Sequence, residues 1–117
     1  MTLTLETTAL KVQLRLTEGW FTACELSALP PGRGVAVLLP DGHQVALFRD
    51  RADRLYAIDN RDPFTGAAVL SRGLTGTHEG RPFVASPLLK QRFDLVDGEC
   101  LDDASVRVAV YEVRSSV

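Results

Sequence analysis

Short runs of apolar or alternating residues, separated by turn signals, constrain the fold of this chain most strongly. The runs are five to eight residues long, which suits strands better than helices. Two of the turns, residues 40–43 and 96–99, contain the Asp-Gly pair favoured in tight hairpins, and residues 50–53 are similarly polar. The pattern therefore predicts an all-β fold with antiparallel strands at residues 11–16, 20–24, 34–39, 44–49, 54–59, 82–86, 91–95 and 106–113.

Residues 106–113 have the cleanest strand pattern in the sequence. Three alternate valines between positions 106 and 110 fall on one face, and polar or small residues fall on the other. The best helix candidate is much shorter. In residues 24–32, Ser27 could cap a single turn before Pro30 and Pro31 end it. We therefore expect this segment to be a connection between strands.

Length and composition favour one domain. With 117 residues, 45% of them hydrophobic, the chain can bury one substantial core, so we expect residues 1–117 to form a single domain in which residues 1–10 fray. The net charge of −2 argues against nucleic acid as a partner. No segment approaches the roughly 20 apolar residues of a membrane span, and the first residues do not resemble a signal peptide. We therefore expect a cytoplasmic protein that does not bind membranes.

The cysteines and histidines give little indication of a metal site or a disulfide. Cys24 and Cys100 lie in separate contexts, and cytosolic thiols usually stay reduced, so we expect two buried or half-buried free thiols. His43 and His78 are far from each other and from both cysteines in the sequence. The close ligand pairs that are typical of a structural metal site are therefore missing.

Two motifs stand out between the predicted strands. The first, Asp62-Pro63-Phe64-Thr65-Gly66, lies in residues 60–81. This long interval has no strand pattern, and we expect it to be a loop that carries a function. The second, Ser86-Pro87-Leu88-Leu89, is followed by RFDLVDGEC at residues 92–100. Each has the proline of a shaped turn and the first also has a glycine, yet neither has an obvious catalytic group.

This pair of motifs resembles the two cluster-binding loops of Rieske ferredoxin-like domains. In that family one loop reads Cys-x-His and the other Cys-x-x-His, and the four side chains hold an iron–sulfur cluster. The resemblance implies a Rieske-like antiparallel β-sandwich or barrel with two extended loops. In this sequence the four ligand positions are Asp62, Phe64, Ser86 and Leu89.

These four residues are chemically unsuited to an iron–sulfur cluster, whose irons bind soft thiolates or neutral imidazoles. Asp62 offers a hard oxygen and Ser86 a neutral hydroxyl, while Phe64 and Leu89 offer no ligand atom. We therefore expect no cofactor in this chain. We expect Phe64 and Leu89 instead to close the gap between the loops by apolar contact.

Taken with the tryptophan-containing strand upstream, the two motifs more closely resemble the small subunits of assimilatory NAD(P)H-dependent nitrite reductase. The resemblance covers most of residues 18–114. It implies an accessory subunit without a catalytic site of its own. The implied partner is a large catalytic subunit that carries FAD, an iron–sulfur cluster and siroheme and reduces nitrite to ammonium.

If the chain is such a subunit, the two motifs are its candidate docking surface. Several cations lie in or near them and could meet an acidic partner surface: Arg61, Arg72, Arg81, Lys90 and Arg92. An acid–base role for Asp62 beside Arg61 and Asp59 is less favoured, because neighbouring exposed carboxylates are usually solvated. The residues predicted for docking are Arg61, Asp62, Pro63, Phe64, Ser86, Pro87, Leu88, Leu89 and Lys90.

Other readings stay open at this point. The chain could be a cluster-free interaction module of another oxidoreductase, and the same loops would serve that role. A redox ferredoxin is disfavoured by the missing ligands, and a free-standing ligand binder using residues 60–81 would need no partner. The aromatic residues are expected to belong mainly to the core: Trp20, Phe21, Phe93 and Tyr111.

Overall fold

In the computed structural model, which describes residues 10–117, the chain forms three antiparallel three-stranded sheets. Their strand orders are β2-β1-β9, β3-β4-β5 and β6-β7-β8. This confirms the all-β prediction. The strands are β1 (Lys11–Leu16), β2 (Gly19–Glu25), β3 (Gly34–Leu38), β4 (Gln44–Arg49), β5 (Leu55–Asp59), β6 (Leu74–His78), β7 (Arg81–Ala85), β8 (Arg92–Asp94) and β9 (Val113–Ser116), with short 3₁₀ turns at Leu26–Ala28 and Leu70–Arg72.

Strand β4 lies at the centre of the fold, and both of its faces are buried. Val45 and Leu47 join one apolar cluster with residues of β1, while Ala46 and Phe48 join a second cluster with residues of β7 and β8. Alternate side chains of a strand point to opposite faces, so a continuous apolar run is what a doubly covered strand requires. The sheet β3-β4-β5 therefore separates two cores.

The strand predicted at residues 106–113 is largely wrong. Only Val113 belongs to a strand, β9, while Arg107 forms a single bridge with Glu99 and Val110 a single bridge with Ile58. The segment is extended, but its successive partners belong to different parts of the fold. No ladder of consecutive pairs can form, and the predicted apolar face divides between buried Val108 and half-exposed Val110.

Residues 60–81 contain more regular structure than predicted. They include the 3₁₀ turn Leu70–Arg72 and strand β6, which the sequence pattern missed. Strand β6 lies at a sheet edge with mostly exposed side chains, so it lacks the alternation that marks a half-buried strand. Its Gly76 lies against the Phe83 ring, where a Cβ atom would come within 2.8 Å of ring carbon.

Several smaller predictions can also be compared with the structure. The expected short turn in residues 24–32 is present at Leu26–Ala28, but the residue at its N-cap is Glu25, so Ser27 is not the cap. Cys24 is half-buried and Cys100 buried, and both thiols are free, as predicted.

The predicted fraying of residues 1–10 falls almost entirely on residues 1–9, outside the described part. Within residues 10–117, no helix is long and apolar enough to cross a membrane.

Candidate functional site

The first predicted motif forms a compact loop after β5, here called loop 1 (residues 60–67). The Asp62 N–H donates to the Ala67 carbonyl at 2.8 Å, and the Gly66 N–H donates back to the Asp62 carbonyl at 2.7 Å. Gly66 has φ +78°, a conformation that favours glycine. The Arg61 guanidinium donates to the Gly66 carbonyl across the loop. Loop 1 is therefore closed by its own hydrogen bonds.

The base of loop 1 is anchored by Asn60, which is buried. Its amide nitrogen donates to Gln44 Oε1 at 3.0 Å, and its amide oxygen accepts from the Ser71 N–H at 2.7 Å. These bonds join loop 1 to strand β4 and to the 3₁₀ turn beyond it. A buried side-chain amide with both ends satisfied fixes the local geometry well.

The second motif forms a similar loop between β7 and β8, here called loop 2 (residues 86–91). The Ser86 N–H donates to the Gln91 carbonyl at 2.8 Å, and the Lys90 N–H donates to the Ser86 carbonyl at 3.0 Å. The Ser86 hydroxyl also accepts from the Leu88 N–H at 3.3 Å. Lys90 takes the left-handed conformation, with φ +69°.

The two loops are joined by one buried polar contact, here called the Asp62–Ser86 clasp. The Ser86 hydroxyl donates to Asp62 Oδ2 at 2.6 Å, and the other carboxyl oxygen of Asp62 accepts from the Phe64 N–H at 2.8 Å. Asp62 is 0% exposed and Ser86 is 1% exposed. The expectation that Asp62 is a solvated carboxylate is therefore wrong, because both of its oxygens are used inside the protein.

Apolar contact between the loops is only partly as predicted. The Phe64 ring lies 6.2 Å from the Phe93 ring, centroid to centroid, at an interplanar angle of 46°. Phe93 is fully buried, so it forms the floor on which loop 1 rests. Leu88 and Leu89, however, are 50% and 55% exposed. The clasp joins the two loops, the Phe64–Phe93 contact packs loop 1 on strand β8, and the leucines stay largely at the surface.

The exposed apolar surface extends beyond the two motifs. Leu74, which sequence reasoning missed, is 80% exposed and pairs with Ala85, the residue before loop 2. In the two loops, Phe64, Leu88 and Leu89 are also exposed. Large apolar side chains grouped at a surface are typical of a protein contact site.

The cations predicted for docking divide into two groups. Arg81 forms salt bridges with buried Asp94 at 2.7 Å and with Glu99 at 2.9 Å, and Arg92 pairs with Asp102 at 2.8 Å. These two arginines are therefore engaged within the fold. Among the residues that the structure describes, three of the predicted cations have no carboxylate partner: Arg61, Arg72 and Lys90.

The loop pair does not fit an iron–sulfur cluster. The side chains at the four ligand positions lack a thiolate or an imidazole, and two of them, Asp62 and Ser86, bond directly to each other where a cluster would have to intervene. In the part of the chain from residue 10 onward, no group of three or more His, Cys, Asp or Glu side chains is placed to hold a metal ion.

The three-sheet fold with two paired loops defines a Rieske-like domain in which the cluster ligands are replaced. Residues 19–116 match the family of Rieske-like [2Fe-2S] domains. Similarity to individual proteins is more specific. The small subunit of nitrite reductase (NADH) from Salmonella typhimurium strain LT2 is 48% identical over 96 residues, which cover 81% of this chain and 88% of that protein.

A crystal structure described as an NADH-dependent nitrite reductase small subunit from Mycobacterium tuberculosis superposes with a TM-score of 0.78 and 51% identity. The match covers 84% of this chain and 95% of that one. A segment of the Klebsiella oxytoca NAD(P)H nitrite reductase large subunit is also 43% identical over 95 residues, or 81% of this chain and 10% of that protein. The chain belongs to the Rieske-like family of nitrite reductase small subunits.

Proposed function

We propose that this chain docks on the large catalytic subunit of an NAD(P)H nitrite reductase through the tips of loops 1 and 2, and that it carries no catalytic site of its own. The large subunit would reduce nitrite to ammonium in the cytoplasm with FAD, an iron–sulfur cluster and siroheme. The observation that carries the proposal is the loop pair itself. Its interior is closed by the Asp62–Ser86 clasp, and its tips expose apolar side chains.

The composition of the tips supports a protein partner. Leu88 and Leu89 are half-exposed, and next to them Lys90 has no acidic partner among the described residues. Interfaces commonly combine a desolvated apolar centre with a polar rim. We therefore propose that the complementary surface of the large subunit is apolar at its centre and acidic at its rim.

The Klebsiella oxytoca relative supports the identity of this partner. There, a segment similar to this chain is one tenth of a protein named as the large subunit. A module that is a separate small subunit in one organism and part of the large subunit in another is expected to work beside the same catalytic domains. This favours the nitrite reductase large subunit over another oxidoreductase.

The proposal is tested by binding to the purified large subunit, measured by calorimetry. We expect Leu89→Asp to weaken binding at least tenfold, because a carboxylate replaces an apolar contact at the centre of the interface. Val96→Asp is the matched control, since Val96 is 62% exposed in the turn at the opposite end of β8 from loop 2.

Both variants should keep the thermal stability of the parent chain, because both side chains are exposed. Equal affinities of Leu89→Asp and Val96→Asp would refute docking through the loop tips. Failure of the parent chain to bind this large subunit, together with capture of a different oxidoreductase, would favour the alternative of a general cluster-free interaction module.

A further inference from the structure

Strand β6 has an outer edge to which no other strand of the described chain is paired. It is the last strand of the sheet β6-β7-β8 and pairs only with β7. The two strands form a tight hairpin, in which Glu79 and Gly80 both have positive φ values, 51° and 80°. This sheet therefore ends at residues 74–78, here called the β6 edge.

The backbone groups of Thr75 and Thr77 point outward at the β6 edge. Thr77 lies opposite Pro82, which has no N–H, and the Pro82 carbonyl accepts from the Leu95 N–H on the β8 side at 2.9 Å. Thr77 is therefore not hydrogen-bonded to β7, and the same holds for Thr75, because residues two apart in an antiparallel strand point the same way. Between residues 10 and 117, the backbone N–H and C=O groups of both threonines have no hydrogen-bond partner.

The β6 edge also lacks the features by which proteins usually prevent strand addition. These features include charged side chains, proline and bulges. The sequence of β6, LTGTH, has no lysine, arginine, carboxylate or proline, and its register with β7 is unbroken. Leu74 adds a largely exposed apolar side chain. An unprotected edge of this kind is suited to pairing with an extended segment of another protein.

A cavity of about 460 Å³ lies beside the β6 edge. Thr75 and Thr77 line it from β6, and residues of the turn between β4 and β5 line it from the other side. The Thr75 hydroxyl donates to the Gly32 carbonyl at 3.3 Å, and Gly32 lines the cavity as well. Side chains of an added strand that lie on the same face as those of Thr75 and Thr77 would therefore enter this cavity.

The cavity has a small surplus of positive charge. Arg54 pairs with Asp50 at 2.8 Å, and Arg49 pairs with Asp53 at 2.9 Å. Arg51 lines the cavity, is exposed, and has no carboxylate partner in the part of the chain from residue 10 onward. The charged residues in and beside the lining are four cations and three anions: Arg33, Arg49, Arg51 and Arg54 against Asp50, Asp53 and Glu79. The remaining cation favours an acidic side chain.

The position of the β6 edge indicates which partner can occupy it. Pairing along a strand of five residues is too small to form a stable interface alone, since such interfaces bury at least about 1,200 Å². The occupant therefore needs a further contact with the chain. Leu74, the first residue of β6, pairs with Ala85, which directly precedes loop 2. A partner held by the loop tips lies beside this edge, which favours the large subunit over a second copy of this chain.

We propose that an extended segment of the large subunit adds to the β6 edge as a fourth strand and places an acidic side chain against Arg51. This inference rests on the proposed function above. The backbone of the segment exchanges hydrogen bonds with the free N–H and C=O groups of Thr75 and Thr77. Its alternate side chains cover Leu74 on one face of the sheet and enter the cavity on the other.

The first test is amide hydrogen exchange of this chain, alone and in complex with the whole large subunit. On binding, the amides of Thr75 and Thr77 should exchange more slowly by roughly tenfold or more, because they gain acceptors. The amides of Gly76 and His78 already bond to β7 and should change less. A complex in which the exchange of Thr75 and Thr77 is unchanged would overturn the inference.

The second test is affinity for the large subunit after a proline substitution. Thr77→Pro removes an outward N–H but no bond to β7, and an edge strand tolerates proline at such a position. It should raise Kd by about fivefold or more, because the added strand loses a hydrogen bond. Thr77→Val keeps the N–H and the shape of the side chain, so it is the matched control and should bind like the parent chain. Equal affinities of the two variants would contradict pairing at the β6 edge.

The acidic side chain is tested by charge reversal at low and at high salt. Arg51→Glu should raise Kd by about fivefold at low salt, and the effect should shrink as salt screens it. Arg107→Glu is the matched control, because Arg107 is an exposed arginine that bridges Glu99 beside β8, at the other edge of the same sheet. If Arg51→Glu behaves like Arg107→Glu, the acidic contact is wrong.

The loop variant Leu89→Asp separates this inference from the function on which it rests. If Leu89→Asp weakens binding and Thr77→Pro binds like Thr77→Val, strand addition is overturned while loop docking stands. If Thr77→Pro weakens binding and Leu89→Asp does not, strand addition is supported and docking through the loop tips is refuted. Failure of the parent chain to bind the large subunit would overturn both proposals.

Discussion

The Asp62–Ser86 clasp gives the sharpest prediction about stability. Ser86→Ala removes the hydroxyl that donates at 2.6 Å to a carboxyl oxygen of Asp62, and water cannot replace it because both residues are at most 1% exposed. Leaving a buried acceptor without its donor costs about 1–3 kcal/mol. The Leu88 N–H also loses the Ser86 oxygen that accepts it. We therefore expect a loss of about 2 kcal/mol in the free energy of unfolding, or roughly 8 °C in Tm.

The chain contains a matched control for this experiment. The Ser105 hydroxyl donates to Asp103 Oδ1 at the same distance, 2.6 Å, but this pair is exposed. Ser105→Ala should therefore change the free energy of unfolding by no more than about 0.5 kcal/mol. Urea unfolding of both variants beside the parent chain gives the comparison. Equal losses for Ser86→Ala and Ser105→Ala would refute the argument that burial makes the clasp important.

Two further predictions concern a turn and a partly buried ion pair. Gly98 has φ +81°, and a Cβ atom there would lie 2.1 Å from the Val108 carbonyl oxygen. Gly98→Ala should therefore lower the free energy of unfolding, measured in urea, by more than about 2 kcal/mol. Gly42→Ala is the control and should cost about 1 kcal/mol, because Gly42 has a similar φ but open space around it. If the two substitutions cost the same, the close approach is not important. Burial disfavours ionisation of Asp94, but hydrogen bonds from two backbone N–H groups and from Arg81 outweigh it and hold the pKa of Asp94 below its ordinary value. Its contribution to stability is therefore present above the unfolded-state pKa of about 4 and is lost as pH falls through the lower folded-state pKa. Asp94→Asn should have a lower free energy of unfolding than the parent chain at pH 7, and the difference between the two should narrow below about pH 4. If this difference in the free energy of unfolding stays constant with pH, the argument is wrong.

Much of the fold could be predicted because local signals agree with the tertiary structure. The apolar run of β4, the Asp-Gly turn before it and the polar turn at residues 50–53 after it indicate the central sheet. Strand β6 could not be found in this way, since its side chains are exposed and its pairing with β7 supplies most of its order. The strand prediction for residues 106–112 was wrong for the opposite reason. Their alternation is real, but their hydrogen-bond partners lie in different sheets, which no local pattern records.

The two motifs form loops that lie side by side in the structure, but the polar contact that joins them was not predicted. The two cysteine ligands of a Rieske cluster come from different loops and bind the same cluster, so residues that replace them must lie near each other in the fold. That constraint, applied to Asp62 and Ser86, would have indicated a carboxyl–hydroxyl pair. The expectation of a purely apolar closure overlooked it. Phe64 does pack inward, but Leu89 stays half-exposed.

The arrangement separates what holds the loops together from what the loops offer to a partner. In a domain with a cluster, the metal site at the loops does both, because it cross-links the loops and supplies their chemistry. Here the clasp is fully buried and uses both carboxyl oxygens of Asp62, so it has no free atom for a substrate or a metal. The side chains that loop 2 leaves at the surface are Leu88, Leu89 and the cation of Lys90, which are suited to contact and not to electron transfer. Substitutions beneath the tips should therefore act on stability first, and, under the proposed function, substitutions at the tips should act on docking alone.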